Sequence, residues 1–176
     1  MKPKSRKALI LLLFSVLIIV LFLAIPVRTI FNDPTSTVVL DRNGELLGAK
    51  IAADGQWRFP HNENVPEKFA KALIAFEDKR FYYHPGVDVI AISRALYSNL
   101  SSGRKISGAS TITMQVVRLS RKNKPRTITE KIIEAFIAFR IELRYSKSEI
   151  LALYASNAPF GGNVVGLDAA AWRYFG

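Results

Sequence analysis

The sequence contains no cysteine and only two histidines in 176 residues. The first absence excludes a disulfide-stapled fold and any Cys-ligated zinc or iron–sulfur centre, and it leaves the redox compartment unread. Acidic residues are also scarce: 14 Asp and Glu stand against 25 Lys and Arg, for a formal net charge of +11. Such a balance calls for an anionic partner, which can be nucleic acid, a membrane surface or a phosphorylated substrate. Internal repeats are missing too. What is present is apolar: a 49% hydrophobic content excludes a wholly disordered chain. The length permits one domain and leaves little room for a second.

The apolar content is concentrated at the start. Lys2, Lys4, Arg6 and Lys7 form a basic head, and residues 8–27 then carry no charge until Arg28. Twenty helical residues rise about 30 Å, the thickness of a bilayer's hydrocarbon core. The positive flank predicts a transmembrane anchor over 8–28 with the head (1–7) cytoplasmic and the rest exported. A cleaved signal peptide has a shorter apolar core and a small-x-small site, which Leu21–Val27 does not offer. Four of the eleven net charges therefore serve topology, and the remainder carries +7.

Residues 29–60 read as a linker and β element. Asn43-Gly44 between apolar runs predicts a type I′ hairpin, and a second extended segment is expected over Gln56–Phe59. Residues 61–176 read as helical. Pro66 suits a first helical position, with Phe69, Leu73 and Phe76 on one face. Asp88 is placed to cap a helix whose apolar face is Ile92, Leu96 and Leu100. Ser101–Gly108 reads as a loop, Ser110 starts a third helix, and Arg118–Pro125 reads as a second, basic loop. Thr127–Glu130 and Ser146–Glu149 fit capping boxes; Ile132, Phe136, Phe139 and Leu143 follow the first on one face. Pro159–Asn163 is a turn and Asp168–Tyr174 a last helix. The expected class is mainly α with a small β element.

Two acids stand out. Glu77-Asp78 ends an apolar helical run between Phe76 and Phe81. The helix dipole, the apolar neighbours and the adjacent acid all favour a neutral carboxyl, which suits a general base. A solvated pair beside Lys79 and Arg80 is the plainer reading of the same residues. Glu134 follows the basic loop by one helix turn or two and, alone, fits an exposed salt bridge. His84 precedes Pro85-Gly86 and His61 stands apart, so no His pair points to zinc. Arg118, Arg121, Lys122, Lys124 and Arg126 form an acid-free set that fits either a solvated loop or a clamp for phosphates or anionic headgroups. Ser102-Gly103-Arg104-Lys105 has the S-x-x-K form of a penicillin-reactive serine, but no K-T-G follows and the match is accidental.

Five segments in order resemble the motifs of the peptidoglycan glycosyltransferases, the transglycosylase modules of class A penicillin-binding proteins. Glu77–Gly86 resembles E-D-x-x-F-x-x-H-x-G, Gly108–Gln115 resembles G-x-S-T-I-T-x-Q, and Lys131–Glu134 resembles the end of R-K-x-x-E. Lys147–Tyr154 resembles K-x-E-I-L-x-x-Y, and Ala170–Gly176 resembles the fifth motif. Ala158–Gly162 is most similar to the penicillin-binding protein 1C branch. The sequence departs from the family at Glu130, where Arg is usual, at Met114, where Gln is common, and at Ala155-Ser156, where Leu-Asn is usual. The family module normally continues past Gly176, so the sequence is expected to be C-terminally incomplete.

The resemblance implies a lysozyme-like helical fold and polymerisation of lipid II, a disaccharide-pentapeptide on undecaprenyl diphosphate, with the growing glycan strand as donor. Glu77 would be the base and Glu134 the second catalytic acid. Asp78, His84, Ser110, Thr111, Gln115, Arg118, Arg126 and Lys131 would bind substrate. No cofactor is firmly implied beyond room for a divalent cation, magnesium or manganese, and no metal ligand is assigned. The expected location is the bacterial inner membrane, single-pass, with the C-terminal domain outside the cytoplasm. The partners would be lipid II, the glycan strand, the membrane and other cell-wall synthesis proteins, with no nucleic acid. Two other classes remain: a glycan hydrolase, for which a basic diphosphate clamp is useless, and a non-catalytic anchored module that binds lipid II or anionic cell-wall polymer.

Overall fold

The computed structural model describes residues 9, 13, 14, 30–104, 108–125 and 127–176. The chain divides into Met1–Ile30 and Phe31–Gly176. The anchor expected over 8–28 lies almost wholly outside the described residues, among which no helix is long and apolar enough to cross a membrane.

Phe31–Gly176 is mainly helical, as expected. Strands β1 (Thr37–Leu40) and β2 (Leu46–Lys50) pair antiparallel. Their turn is not type I′, because Gly44 has φ +84° while Asn43 stays at negative φ. Asp41 decides the geometry: its carboxylate accepts from the backbone N–H of Asn43 and Glu45 (2.7 and 2.8 Å). An Asx-type turn thus replaces the mirror-image turn that the Asn-Gly pair favours in isolation. Strand β3 (Trp57–Arg58) falls inside the extended segment expected at 56–59.

Among the described residues six α-helices follow: α1 (Glu67–Glu77), α2 (Val89–Ser102), α3 (Ile112–Ser120), α4 (Ile128–Glu142), α5 (Lys147–Asn157) and α6 (Leu167–Phe175). A 3-10 turn spans Phe81–Tyr83. Several boundaries follow from local chemistry. Asp88 caps α2 by accepting from Ala91 N–H, and Ser146 with Glu149 completes the capping box of α5. Pro66 is the N-cap of α1 rather than its first helical residue, and Thr111, not Ser110, caps α3. The capping box expected at Thr127–Glu130 forms by half: Thr127 accepts from Glu130 N–H, but the Glu130 side chain turns to Arg121 instead.

The core is built on α3, which packs against α4 and α5. Ile112, Val116 and Val117 are fully buried there, as are Phe81, Ala138, Ile141 and Ile150 on neighbouring elements. The apolar faces expected for α2 and α4 do not join it. Ile92, Leu96 and Leu100 are exposed, as are Ile132, Phe136, Phe139 and Leu143, while small Ala95 and Ala138 face inward. Short side chains let helices approach closely, and the bulky ones are left on the outer surface.

A second cluster joins the two ends of this unit. The segment read as a turn at 159–163 is a hairpin, β4 (Pro159–Gly161) with β5 (Val164–Val165), and β3 adds to β5 in parallel. Val164, Ala169 and Ala170 are buried beneath Trp57, Phe59 and Phe160. Trp172 stacks obliquely on Trp57 and Phe59, at 5.3 and 5.6 Å between centroids.

Gly86 sits where the first motif crosses α4. It has φ +88°, and a Cβ there would lie 2.7 Å from the Ala138 carbonyl oxygen. Both conformation and space therefore demand glycine. Gly86→Ala is expected to destabilise the fold by about 2 kcal/mol or more, read as a lowered denaturant midpoint.

Candidate active site

An open cleft of about 810 Å³ runs between the end of α1, one face of α3, the first turns of α4 and Tyr154 of α5. Helical spacing selects its walls. Met114, Gln115, Arg118 and Leu119 share one face of α3, and Glu130, Lys131 and Glu134 share one face of α4. Of the residues expected from sequence, Glu77, Ser110, Gln115, Arg118, Lys131 and Glu134 line this one cleft. Arg126 lies outside the described residues.

Glu77 is exposed at the C-terminal end of α1, without the apolar surroundings expected from Phe76 and Phe81. Phe76 is 91% exposed on the cleft wall, and Phe81 turns into the core. What holds Glu77 is Gln115, whose Nε2 donates to Glu77 Oε2 at 2.6 Å. Tyr154 is close enough to feel Glu77: burial first, then the Glu77 charge, pushes its phenol above the usual range.

Glu134 is buried at the opposite wall. Burial pushes its carboxyl above the usual carboxylate range. Arg118 pulls it back, Glu130 one turn earlier pushes it further up, and Lys131 and Arg121 pull it down again. The Arg118–Pro125 segment was expected to be a loop, but α3 continues through Ser120 and so carries Arg118 on its last turn. The guanidinium is thereby fixed by a helix facing Glu134.

Asp78, His84 and Thr111, expected to bind substrate, do not line the cleft; they are buried beneath it and engaged by protein groups. His84 Nε2 meets both Asp78 carboxylate oxygens at 3.0 Å. Asp78 Oδ2 also accepts from Ile112 N–H at 3.0 Å, at the positive end of α3. Thr111 Oγ1 donates to the Gly86 carbonyl at 2.6 Å and accepts from Met114 N–H. Lys147 adds the fourth motif to this network: its Nζ donates to the His84 carbonyl and to Glu142 Oε1, both at 2.8 Å, and lies over the Phe81 ring. Glu142 also accepts from Thr113 Oγ1. These residues position the cleft walls.

Sequence reasoning did not assign Tyr154, Glu130 or Phe76 to the site. Tyr154 was visible as the last residue of the fourth motif. Glu130 has sequence signals as a capping acid and as a departure from the family's usual Arg, and Phe76 only as part of an apolar helix face. Asp78, His84 and Asp88 are the one group among the described residues whose ligating atoms cluster, within 4.8 Å of one another. Their oxygens are already taken by Ile112 N–H, Ala91 N–H and the Arg80 guanidinium, and the group lies outside the cleft. Burial raises Asp88, but the Ala91 N–H and the Arg80 charge outweigh it and hold the carboxyl below the usual range.

Removing the Asp78 charge leaves His84 and the Ile112 N–H without their acceptor. Asp78→Ala is expected to cost about 3–5 kcal/mol of stability, measured by chemical unfolding, a loss that a residue serving only to touch substrate would not show.

Comparison with known proteins agrees with this arrangement. The family model described as "Transglycosylase" matches residues 44–176, which include all five motifs and both cleft walls. Penicillin-binding protein 1C of Escherichia coli (strain K12) is 45% identical over 140 residues, 79% of this chain and 18% of that protein. The monofunctional glycosyltransferase of Staphylococcus aureus (strain JH9) is 45% identical over 118 residues, 67% of this chain and 44% of that protein. The chain thus spans less than half the length of either relative. With the family model covering the walls of the cleft and everything between them, the chain belongs to the transglycosylase family.

Proposed function

We propose that the chain carries a peptidoglycan glycosyltransferase that polymerises lipid II, with inversion at the donor sugar and release of undecaprenyl diphosphate. The observation that carries this reading is the division of labour across one cleft. A solvent-accessible carboxylate held by an amide stands on one side, and a buried carboxyl among cations stands on the other.

The chemistry follows from that division. Glu77, oriented by Gln115, takes the proton of the acceptor's N-acetylglucosamine 4-hydroxyl. The freed oxygen attacks C1 of the donor's N-acetylmuramic acid from the face opposite the diphosphate, so the α linkage becomes β. Arg118 and Lys131 stabilise the negative charge that gathers on the departing diphosphate. Glu134, kept protonated to higher pH by burial, is placed to give a proton to that leaving oxygen. Hydrolysis is the poorer reading, because cations poised for a diphosphate have no task in cleaving a neutral glycosidic link.

Among the described residues no three ligating groups converge in the cleft, where Glu77 is engaged by Gln115 and Glu130 by Arg121.

A lipid substrate calls for a membrane at the site. The exposed apolar faces of α2 (Val89, Ile90, Leu96, Leu100) and α4 (Ile128, Ile132) support that partner, and they complement the anchor expected over 8–28. The same reading places this unit outside the cytoplasm.

The test is polymerisation of labelled lipid II by the detergent-solubilised chain. Glu77→Gln is expected to lower turnover by about 10²–10⁴-fold, the usual range for loss of a positioned acid or base. Turnover of the unaltered chain is expected to fall as pH rises through the raised Glu134 pKa, and Glu134→Gln to remove that alkaline limb along with most of the rate. Wild-type rates for Glu77→Gln would overturn the assignment of the base.

A further inference from the structure

The cleft is less positive than the sequence promises. Its described lining residues include two cations, Arg118 and Lys131, and three carboxylates, Glu77, Glu130 and Glu134. A third cation, Arg121, stands beside them at the C-cap of α3, but it is occupied: its Nη2 donates to Glu130 Oε2 at 2.8 Å. Both side chains of the pair are partly accessible, at 25% and 20%.

Three features make this pair more than a surface salt bridge. First, its position is fixed from both ends. Arg121 N–H closes α3 on the Val117 and Arg118 carbonyls, and Glu130 N–H is bonded to the Thr127 cap. Second, the Arg121 guanidinium is not saturated, since its Nε is buried with no hydrogen-bond partner among the described residues; Arg118 Nε is in the same condition. Third, Glu130 faces the cleft and, with Arg121, acts on Glu134.

We propose that Glu130 is an internal competitor for the anion of this cleft: it pairs with Arg121 and sets how tightly a diphosphate binds there. A diphosphate entering between Arg118 and Lys131 offers oxygens to the same guanidinium that Glu130 holds. Binding then exchanges one ion pair for another, and the affinity is the difference between them. The consequence is a site that releases a diphosphate more readily than three unpaired cations would. This inference rests on the reading of the cleft as a diphosphate site, and it adds a residue that tunes that site.

The experiment uses inorganic pyrophosphate as probe and the detergent-solubilised full chain as protein, with affinity measured by calorimetry. Glu130→Gln keeps the size and a hydrogen-bonding oxygen but removes the charge. It is expected to tighten pyrophosphate binding by about fivefold, the ratio for a partly exposed ion pair. The gain is expected to vanish in the Glu130→Gln/Arg121→Gln double variant. If the pair only fastens α3 to α4, Glu130→Gln will bind pyrophosphate equally or more weakly, and the proposal is overturned. A gain that survives loss of Arg121 overturns it as well. Absence of pyrophosphate binding in every variant overturns the competitor role, whereas failure of the glycosyltransferase reading is seen separately, as absence of polymer from lipid II.

Discussion

The carboxylate of Asp78 holds the site together. It is buried, and its oxygens accept from His84 Nε2 and from the first N–H of α3. One group thereby ties the end of α1 to the start of α3 through charge-assisted bonds inside a low-dielectric region, where such bonds are strong and their loss costly. Glu77 is the next residue back along the chain, and Gln115 lies one turn into α3. Their 2.6 Å bond is possible because Asp78 has fixed both backbones. The Thr111–Gly86 and Lys147–His84 bonds extend the same fastening to α5 and to the close crossing with α4.

The cleft itself is an electrostatic compromise. Arg118, Lys131 and Arg121 provide the positive field, and Glu130 and Glu134 offset part of it within one helical turn of α4. This sequence replaces an arginine expected from the family with Glu130, and the structure shows where that charge goes: onto Arg121, nine residues earlier. The substitution is therefore locally compensated and does not leave an unpaired buried acid, which would be the expensive outcome. Met114, a second departure, is buried at the cleft floor and packs without polar demands. Ser156, a third, accepts from Asn62 N–H and meets His61 Nδ1 at 3.1 Å, so it fastens the loop before α1.

Much of this was legible in the sequence because local chemistry decided it. Asp88, Thr127 and Ser146 cap helices where their spacing placed them, and the order of motifs gathered six of the expected residues on one cleft. The errors arose where tertiary contacts overrule local signals. Periodicity located the apolar faces of α2 and α4 but could not tell which side meets the core; small Ala95 and Ala138 took it. Asp78, His84 and Thr111 carry polar groups, and a motif match does not distinguish groups that hold the walls from groups that meet substrate. Pairing of β3 with β5 left no trace in either segment, since a two-residue parallel strand has no pattern of its own.

That parallel pairing also governs the order in which the unit can be completed. Gly55 accepts from Asn163, 108 residues later, and Trp57 stacks on Trp172. A ribosome working from the N-terminus makes one half of this cluster long before the other. Until the second half emerges, Trp57 and Phe59 have no ring to cover them. The helices of the cleft are connected by shorter separations and can assemble first, whereas the aromatic seam can close only once Trp172 has been made. A nascent chain paused before residue 164 would present those two rings, unburied, to whatever folding factor or neighbouring chain is at hand.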